Sequence, residues 1–279
     1  MLSYRHAYHA GNHADVLKHL AEVLILDYLR KKADKPLRYI DTHAGPGLYD
    51  LAEGYARQNS EFESGISRLW QAPDLPEPLS RYVNTVRSFN PGSELTRYPG
   101  SPAIARAMLG AKHKLQLFEL HPADFEQLQK WGRGDRRVSA EKLDGFQRLP
   151  KSLPPHERRA LVVIDPPYEL KQDYQAAVAA LESAVRQFAS GVYLLWYPLL
   201  QRDEVGRMLK RLRGRDWHWL NAELCVGAAS SGGMYGSGVF VINPPWHLMD
   251  ELRVSLPVLQ RLLGDGSEQD FSLTGGGEG

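Results

Sequence analysis

Leu161-Val162-Val163-Ile164-Asp165-Pro166-Pro167-Tyr168 sets a short apolar run, mostly β-branched, directly before a carboxylate, two prolines and an aromatic ring. Such a run, bounded by a turn, has the pattern of a parallel strand buried on both faces. Prolines lack an amide N–H and restrict the backbone, so neighbouring carbonyls can be aimed at one nitrogen. A carboxylate accepts an N–H hydrogen bond, and an aromatic ring offers a face on which a base can stack. Asp165 to Tyr168 therefore suit the grasp of a planar exocyclic amine for methyl transfer. A plain strand-ending turn is the simpler alternative, since Pro-Pro often marks one.

On either side of this stretch, strands and helices alternate. Strands are expected at Leu37 to Thr42, Lys114 to Leu120 and Arg137 to Ala140 before it. Val192 to Trp196, Trp217 to Val226 and Gly236 to Ile242 are expected to follow it. Helical spacing runs from Val16 through Leu29 after an Asn12 cap with Asp15 in the first turn. It recurs over Pro102 to Met108, Tyr174 to Phe188 and Asp203 to Arg213. Five strands interleave with helices and two close the chain without one between them, which predicts a doubly wound α/β sheet of seven strands whose last runs antiparallel. Residues 48–95 break the rhythm with amphipathic pieces separated by Pro73, Pro76, Pro78 and Pro91, the mark of a small helical insertion. The main domain is then 1–47 and 96–265, with 1–32 as an N-terminal lid and helix. The glycine-rich end, 266–279, is expected to be disordered.

The composition, 43% hydrophobic and 24% charged, is that of an ordinary globular protein, and a net charge of +1 advertises no global attraction to nucleic acid. One cysteine, Cys225, excludes an intrachain disulfide framework and any two-cysteine metal site. No apolar run approaches the ~18 residues of a membrane span, and Met1 to His6 reads unlike a secretory signal. A cytoplasmic enzyme with no membrane partner is expected. His6, His9, His13 and His19 invite a metal reading, but helical geometry does not put His13 and His19 on one face. Methyl transfer needs no metal, and none is expected.

Ligands of such sheets bind at the carboxyl ends of the strands, near the point where strand order reverses. Four candidates stand at four successive strand ends. His43 to Gly47 follows the first strand; its glycines permit close backbone approach, though the third glycine of the dinucleotide fingerprint is missing. Glu119 follows the second, where a carboxylate can accept from both hydroxyls of a ribose. Asp144-Gly145 follows the third and suits an adenine amino group; Asp165 follows the fourth. Each acid alone reads as a solvated turn residue, but their ordered recurrence describes S-adenosylmethionine. A nicotinamide enzyme is the competing reading and leaves Asp165 to Tyr168 without a purpose. Phe240-Val241-Ile242-Asn243-Pro244-Pro245-Trp246 imitates the catalytic stretch, yet it ends the late antiparallel strand, away from the cofactor, so Asp165 is preferred over Asn243.

Tyr4-x-His6, Ala10-Gly-Asn-His-Ala-Asp-Val-Leu-Lys-His19, Asp41-Thr-His-Ala-Gly45, Tyr98-Pro-Gly-Ser-Pro102 and Asp165-Pro-Pro-Tyr168 together resemble the J-type large-subunit ribosomal RNA methyltransferase family. The match covers nearly the whole chain, Trp196-Tyr-Pro and Asn243-Pro-Pro-Trp included; the tail beyond Gly264 departs from it. The opening block is the specific part, because Asp-Pro-Pro-Tyr is shared with DNA adenine and protein glutamine methyltransferases. The resemblance implies a Rossmann-like class I S-adenosylmethionine-dependent fold and N6-methylation of a single adenosine in naked or early precursor 23S rRNA by a monomer. It implies cofactor contacts at His19, His43, Ser101, Glu119, Asp144, Gly145 and Asp165, catalysis by Asp165, Pro166, Pro167 and Tyr168 with Lys18, and RNA contacts at Tyr4 and His6. From residue type alone Tyr4 would be an aromatic plug and Lys18 a solvated lysine. DNA adenine methylation, protein glutamine methylation and a non-enzymatic RNA-binding relic remain the alternatives. Basic runs at Arg30 to Lys32, Lys130 to Arg137 and Arg202 to Arg215 are expected to add salt-dependent phosphate contacts. An Asp165 locked in an ion pair far from any cavity would remove the whole reading.

Overall fold

A computed structural model describes residues 9–32, 35–52, 60–229, 233–266 and 270–277. Its centre is an eight-stranded sheet. Five strands run parallel: β1 (Arg38–Asp41), β4 (Lys114–Phe118), β5 (Val138–Glu141), β6 (Ala160–Ile164) and β7 (Val192–Leu199). β8 (Trp219–Cys225), β9 (Gly236–Ile242) and β10 (Phe271–Gly276) extend it, in the order β10-β8-β9-β7-β6-β1-β4-β5. β9 is antiparallel to both neighbours, and β10 is antiparallel to β8. Every residue of β6 and β7 is buried, as the apolar runs require of strands covered on both faces.

The seven expected strands are all present, and the eighth is a correction. Phe271–Gly276, inside the stretch expected to be disordered, forms β10 by pairing Phe271 with Leu224 and Gly276 with Trp219. Glycine weakens a strand through its own entropy; here the exposed edge of β8 supplies the ladder that local propensity does not.

The first helix, α1 (His13–Arg30), begins where Asn12 Oδ1 accepts the amides of Ala14 at 2.9 Å and Asp15 at 3.0 Å, a cap contributing about 1 kcal/mol. Leu17, Leu20 and Leu24 are fully buried where it lies across the sheet. Lys18, His19 and Glu22 are buried with them, although lysine and glutamate are almost never fully buried unless paired.

β2 (Leu48–Asp50) and β3 (Arg97–Pro99) form an antiparallel ribbon that closes the base of the intervening segment. That segment carries α2 (Ile66–Gln71) and α3 (Glu77–Arg87). Leu79, Tyr82, Val83 and Val86 join the same core as the sheet. Its leading end touches the residues before α1: the Ile66 amide donates to the Gly11 carbonyl at 2.8 Å, and a Cβ on Gly65 would run into that carbonyl. The remaining helices are α4 (Ser101–Met108), α5 (Pro122–Gly132), α6 (Gly145–Arg148), α7 (Lys171–Gln187), α8 (Asp203–Arg213) and α9 (Leu248–Leu263). Among the described residues, no helix is long and apolar enough to cross a membrane.

Register brings the site together. Asp41 pairs with Leu117 on one side and Val163 on the other, while Ile164 pairs with Leu195. The Thr42 amide donates to the Val163 carbonyl at 3.1 Å and the Ala44 amide to the Phe118 carbonyl at 2.9 Å. The turn after β1 is thereby held between the ends of β4 and β6, where strand order reverses.

Candidate active site

Two cavities flank the turn after β6. The first, about 180 Å³, is lined by Asp15, Lys18, Asp165, Pro167, Tyr168 and Trp196 among others. The second, about 170 Å³, is lined by His43, Glu119, Asp144, Gly145 and Phe146. Pro167 lines both. Taken together they fall at the lower end of the ~300–1,000 Å³ typical of small-molecule sites. A larger cleft of about 480 Å³ between α7 and α8 contains none of the predicted catalytic or cofactor residues, only Arg207 and Arg211 of the third basic run.

In the first cavity the Lys18 ammonium is ion-paired to the Asp165 carboxylate and, at 2.7 Å, to Asp15. It also sits 5.9 Å from the centre of the Trp196 ring. Asp165 is thus in a buried ion pair, but at the wall of a cavity rather than remote from one. Burial raises its carboxyl above the ordinary aspartate value, and the Lys18 charge pulls the other way. Burial opposes the Lys18 charge, yet Asp15 and Asp165 together raise that group above the ordinary lysine value, so it stays protonated.

Tyr168 lines this cavity with its backbone at φ 51°, a left-handed conformation uncommon outside glycine. Its hydroxyl donates to the Trp196 carbonyl at 2.8 Å, and its ring lies against Tyr174 at 4.5 Å and Trp196 at 5.9 Å between centroids. The ring is a braced wall, more enclosed than the open stacking platform that the sequence suggested.

In the second cavity, Glu119 accepts the His121 amide at 2.7 Å on one oxygen and the Gly45 amide at 2.8 Å on the other. Gly45 takes φ 59° to present that N–H. Each oxygen keeps a further acceptor site. Burial lifts the Glu119 carboxyl to about 7, against the two amides that favour its charge. His43 sits edge-on to Phe146 with centroids 4.8 Å apart. Gly145 admits no side chain, because a Cβ there would strike the Thr42 carbonyl. Asp144 caps α6: one oxygen accepts the Phe146 amide at 2.9 Å and the other the Gln147 side-chain amide at 2.9 Å. A carboxylate set beside a bare glycine backbone and an aromatic edge fits the ribose and adenine of S-adenosylmethionine, with Asp144 partly engaged by its own helix.

His19 and Ser101 line neither cavity and stand behind them. His19 Nδ1 lies 2.7 Å from the Tyr98 hydroxyl. The Ser101 hydroxyl donates to Asp41 at 2.6 Å. Asp41 is the residue that sequence reasoning left without a role: it also accepts from the Tyr39 hydroxyl and the His43 amide, both at 3.1 Å. Burial raises its carboxyl to about 6. It ties α4 to the turn that carries His43, and its signal was an acid ending a buried strand just before His-Ala-Gly. Asp15 and Trp196 were likewise not foreseen as lining the site. Tyr4 and His6 lie outside the described residues.

Several members of the basic runs are engaged within the protein. Arg30 and Lys31 pair with Asp27, Arg137 with Asp135, and Arg211 and Arg215 with Glu182.

Asn243, the mimic of Asp165, is at the far end of the sheet. It follows Ile242, which pairs with Tyr193 near the start of β7 and with Trp219 at the start of β8. Its side-chain amide donates to the carbonyls of Ala189 and Gly191, each at 2.7 Å.

A sheet ordered in this way, with β9 reversed beyond five parallel strands and acidic groups ranged along the carboxyl ends of those strands, defines a Rossmann-like class I methyltransferase. Residues 34–272 match the family model described as ribosomal RNA large subunit methyltransferase D, RlmJ, and the chain belongs to that family. It is 48% identical to the ribosomal RNA large subunit methyltransferase J of Escherichia coli K12 over 94% of both chains. It is 44% identical to the protein of the same name from Haemophilus influenzae, over 96% of this chain and 97% of that one. A crystal structure of a Legionella pneumophila protein, 34% identical, superposes with a TM-score of 0.89 over 96% of this chain and 98% of that one.

Proposed function

We propose that this protein methylates the N6 amino group of a specific adenosine in 23S rRNA, with S-adenosylmethionine as donor. The observation that carries the reading is the placement of Asp165 and Pro167: the turn lies between a cavity suited to the donor and a second one suited to a base. Relatives that bear the name of large-subunit ribosomal RNA methyltransferase support the substrate class. The resemblance set out above supports a monomer acting on naked or early precursor rRNA, a substrate that would be met in the cytoplasm.

Glu119 would hold the ribose hydroxyls, and His43, Asp144 and Gly145 the adenine side. When bound, the donor supplies an electrophilic methyl on its sulfonium. The target base must leave its stack, at a cost of a few kcal/mol that is smallest in a loop or bulge; Tyr168 and Trp196 wall the space that receives it. Adenine's amino lone pair is delocalised into the ring, so the nitrogen is a poor nucleophile. Asp165, kept ionised by Lys18, accepts one amine hydrogen, and a carbonyl of the Pro166-Pro167 turn accepts the other. Both contacts localise the lone pair on nitrogen. Asp165 is also placed to take up the proton as positive charge develops there. Positioning and fixed charge supply most of the acceleration.

The test is methyl transfer from labelled donor to naked 23S rRNA, 16S rRNA and DNA in parallel, with nucleoside analysis. Label in N6-methyladenosine from 23S rRNA alone is the expected result. Label in DNA would hand the site to the DNA adenine methyltransferases that share Asp-Pro-Pro-Tyr.

A further inference from the structure

Lys18 has two carboxylates. Only one of them, Asp165, is in the catalytic turn; the other, Asp15, lies one helical turn earlier on α1 and lines the same cavity. Asp15 is fixed independently of Lys18, because its second oxygen accepts the Gly11 amide at 2.9 Å. An ammonium has three donors, so Lys18 can bridge both acids and transfer its weight from one to the other without leaving the cavity. Asp165 cannot accept the amine hydrogen well while it carries the full Lys18 charge.

We propose that Asp15 is the positioning residue for Lys18: it holds the ammonium as a shared cation, so that Asp165 keeps its charge yet gives up Lys18 contact to the incoming amine. The inference rests on the N6-methylation reading. Asp15 is suited to the part, since against burial the Lys18 ammonium, His19 and the Gly11 amide pull its carboxyl down to about 2, and it is ionised throughout the working range. The charged and titratable groups around the pair include His9, His13, Asp15, Lys18, His19 and Glu22 from the N-terminal stretch and α1, Asp41 and His43 from the end of β1 and the turn after it, Tyr82 of α3, Tyr98 of β3, and Tyr168 after β6.

The test is kcat against pH for Asp15→Asn, with donor and 23S rRNA saturating. Asparagine can still accept the Gly11 amide but removes the charge. Asp165 then loses a like-charged neighbour and takes the whole of Lys18, so its ionised form is favoured. The acidic limb of the profile moves to lower pH, by about one unit, while the plateau falls roughly tenfold or more with KM for both substrates little changed. Asp15→Glu keeps the charge and retains the wild-type limb. A purely structural Asp15 gives the opposite pattern: turnover falls equally at every pH, or not at all, and the limb stays where it was. That result for Asp15→Asn, or a displaced limb for Asp15→Glu, overturns the proposal. Wild-type protein that fails to methylate 23S rRNA would instead remove the reading beneath it.

Discussion

Asp165-Pro-Pro-Tyr168 and Asn243-Pro-Pro-Trp246 begin from nearly the same sequence and end as opposites. Each follows a fully buried apolar strand, and each contains a non-glycine residue in the left-handed region, Tyr168 at φ 51° and Asn243 at φ 54°. Asp165 is 5% exposed at a cavity wall, and Tyr168 is 3% exposed against two other rings. Asn243 ties its amide to two carbonyls, and Trp246 is 76% exposed. Strand direction makes the difference: β6 delivers its turn to the end of the sheet where the turns after β1, β4 and β5 gather, and β9, running the other way, delivers its turn to the far end. Local chemistry proposes a catalytic motif, and topology decides whether it has anything to act on.

The largest effect should separate these two turns outright. Asp165→Asn is expected to cut single-turnover methylation by ~10²-fold or more with donor affinity retained, whereas normal turnover would dismantle the catalytic assignment. Next comes Lys18→Met. A buried Asp165 without its cation is harder to ionise, so the acidic limb of the pH–rate profile should rise in pH, opposite in sign to Asp15→Asn, with roughly tenfold loss at neutral pH; a limb that stays put would show that Lys18 acts otherwise.

Glu119 sharpens the cofactor side. Burial raises its carboxyl to about 7, so its contribution to stability is fully present below the ordinary glutamate range and lost as pH rises through about 7. Hydroxyls that donate to it favour the ionised form. Donor binding near pH 7 should therefore release a proton, visible as a dependence of calorimetric heat on buffer ionisation enthalpy and absent in Glu119→Gln. Asn243→Asp should leave turnover within about twofold while lowering stability by ~1–3 kcal/mol, since a carboxylate cannot donate to the carbonyls of Ala189 and Gly191; denaturant melts measure it. Smallest is Trp246→Ala, expected within about 0.5 kcal/mol of the parent in the same melts, as for a mostly exposed side chain whose ring meets His247 at 5.4 Å between centroids.

Much of the sheet was legible because β-branched runs, strand-end acids and the alternation with helices are local signals. What escaped depends on partners distant in sequence. β10 exists because β8 lies beside it, and α9 holds Pro257 within its span, a residue that argues against a helix until packing overrides it. At the site, Glu119, Asp144, Gly145 and Asp165 could be placed by counting strand ends. Lys18 could not: a lysine on a helix gives no sign that a carboxylate 147 residues away will enclose it. Asp15 read as a helix-start acid, which it is, and its second partner appears only once α1 crosses the sheet. Tyr168 was recognised as lining the pocket, but its bracing by Tyr174 depends on α7.

β10 carries a practical consequence. Its glycines invite removal of the last dozen or so residues as a dispensable tag-like end. Trimming before Phe271 would strip β8 of its ladder partner and leave a row of unsatisfied amides and carbonyls on an open margin. Such a margin recruits strands from other molecules. A shortened chain should therefore betray itself through self-association in concentrated solution, well before the remote Asp165 turn registers any loss.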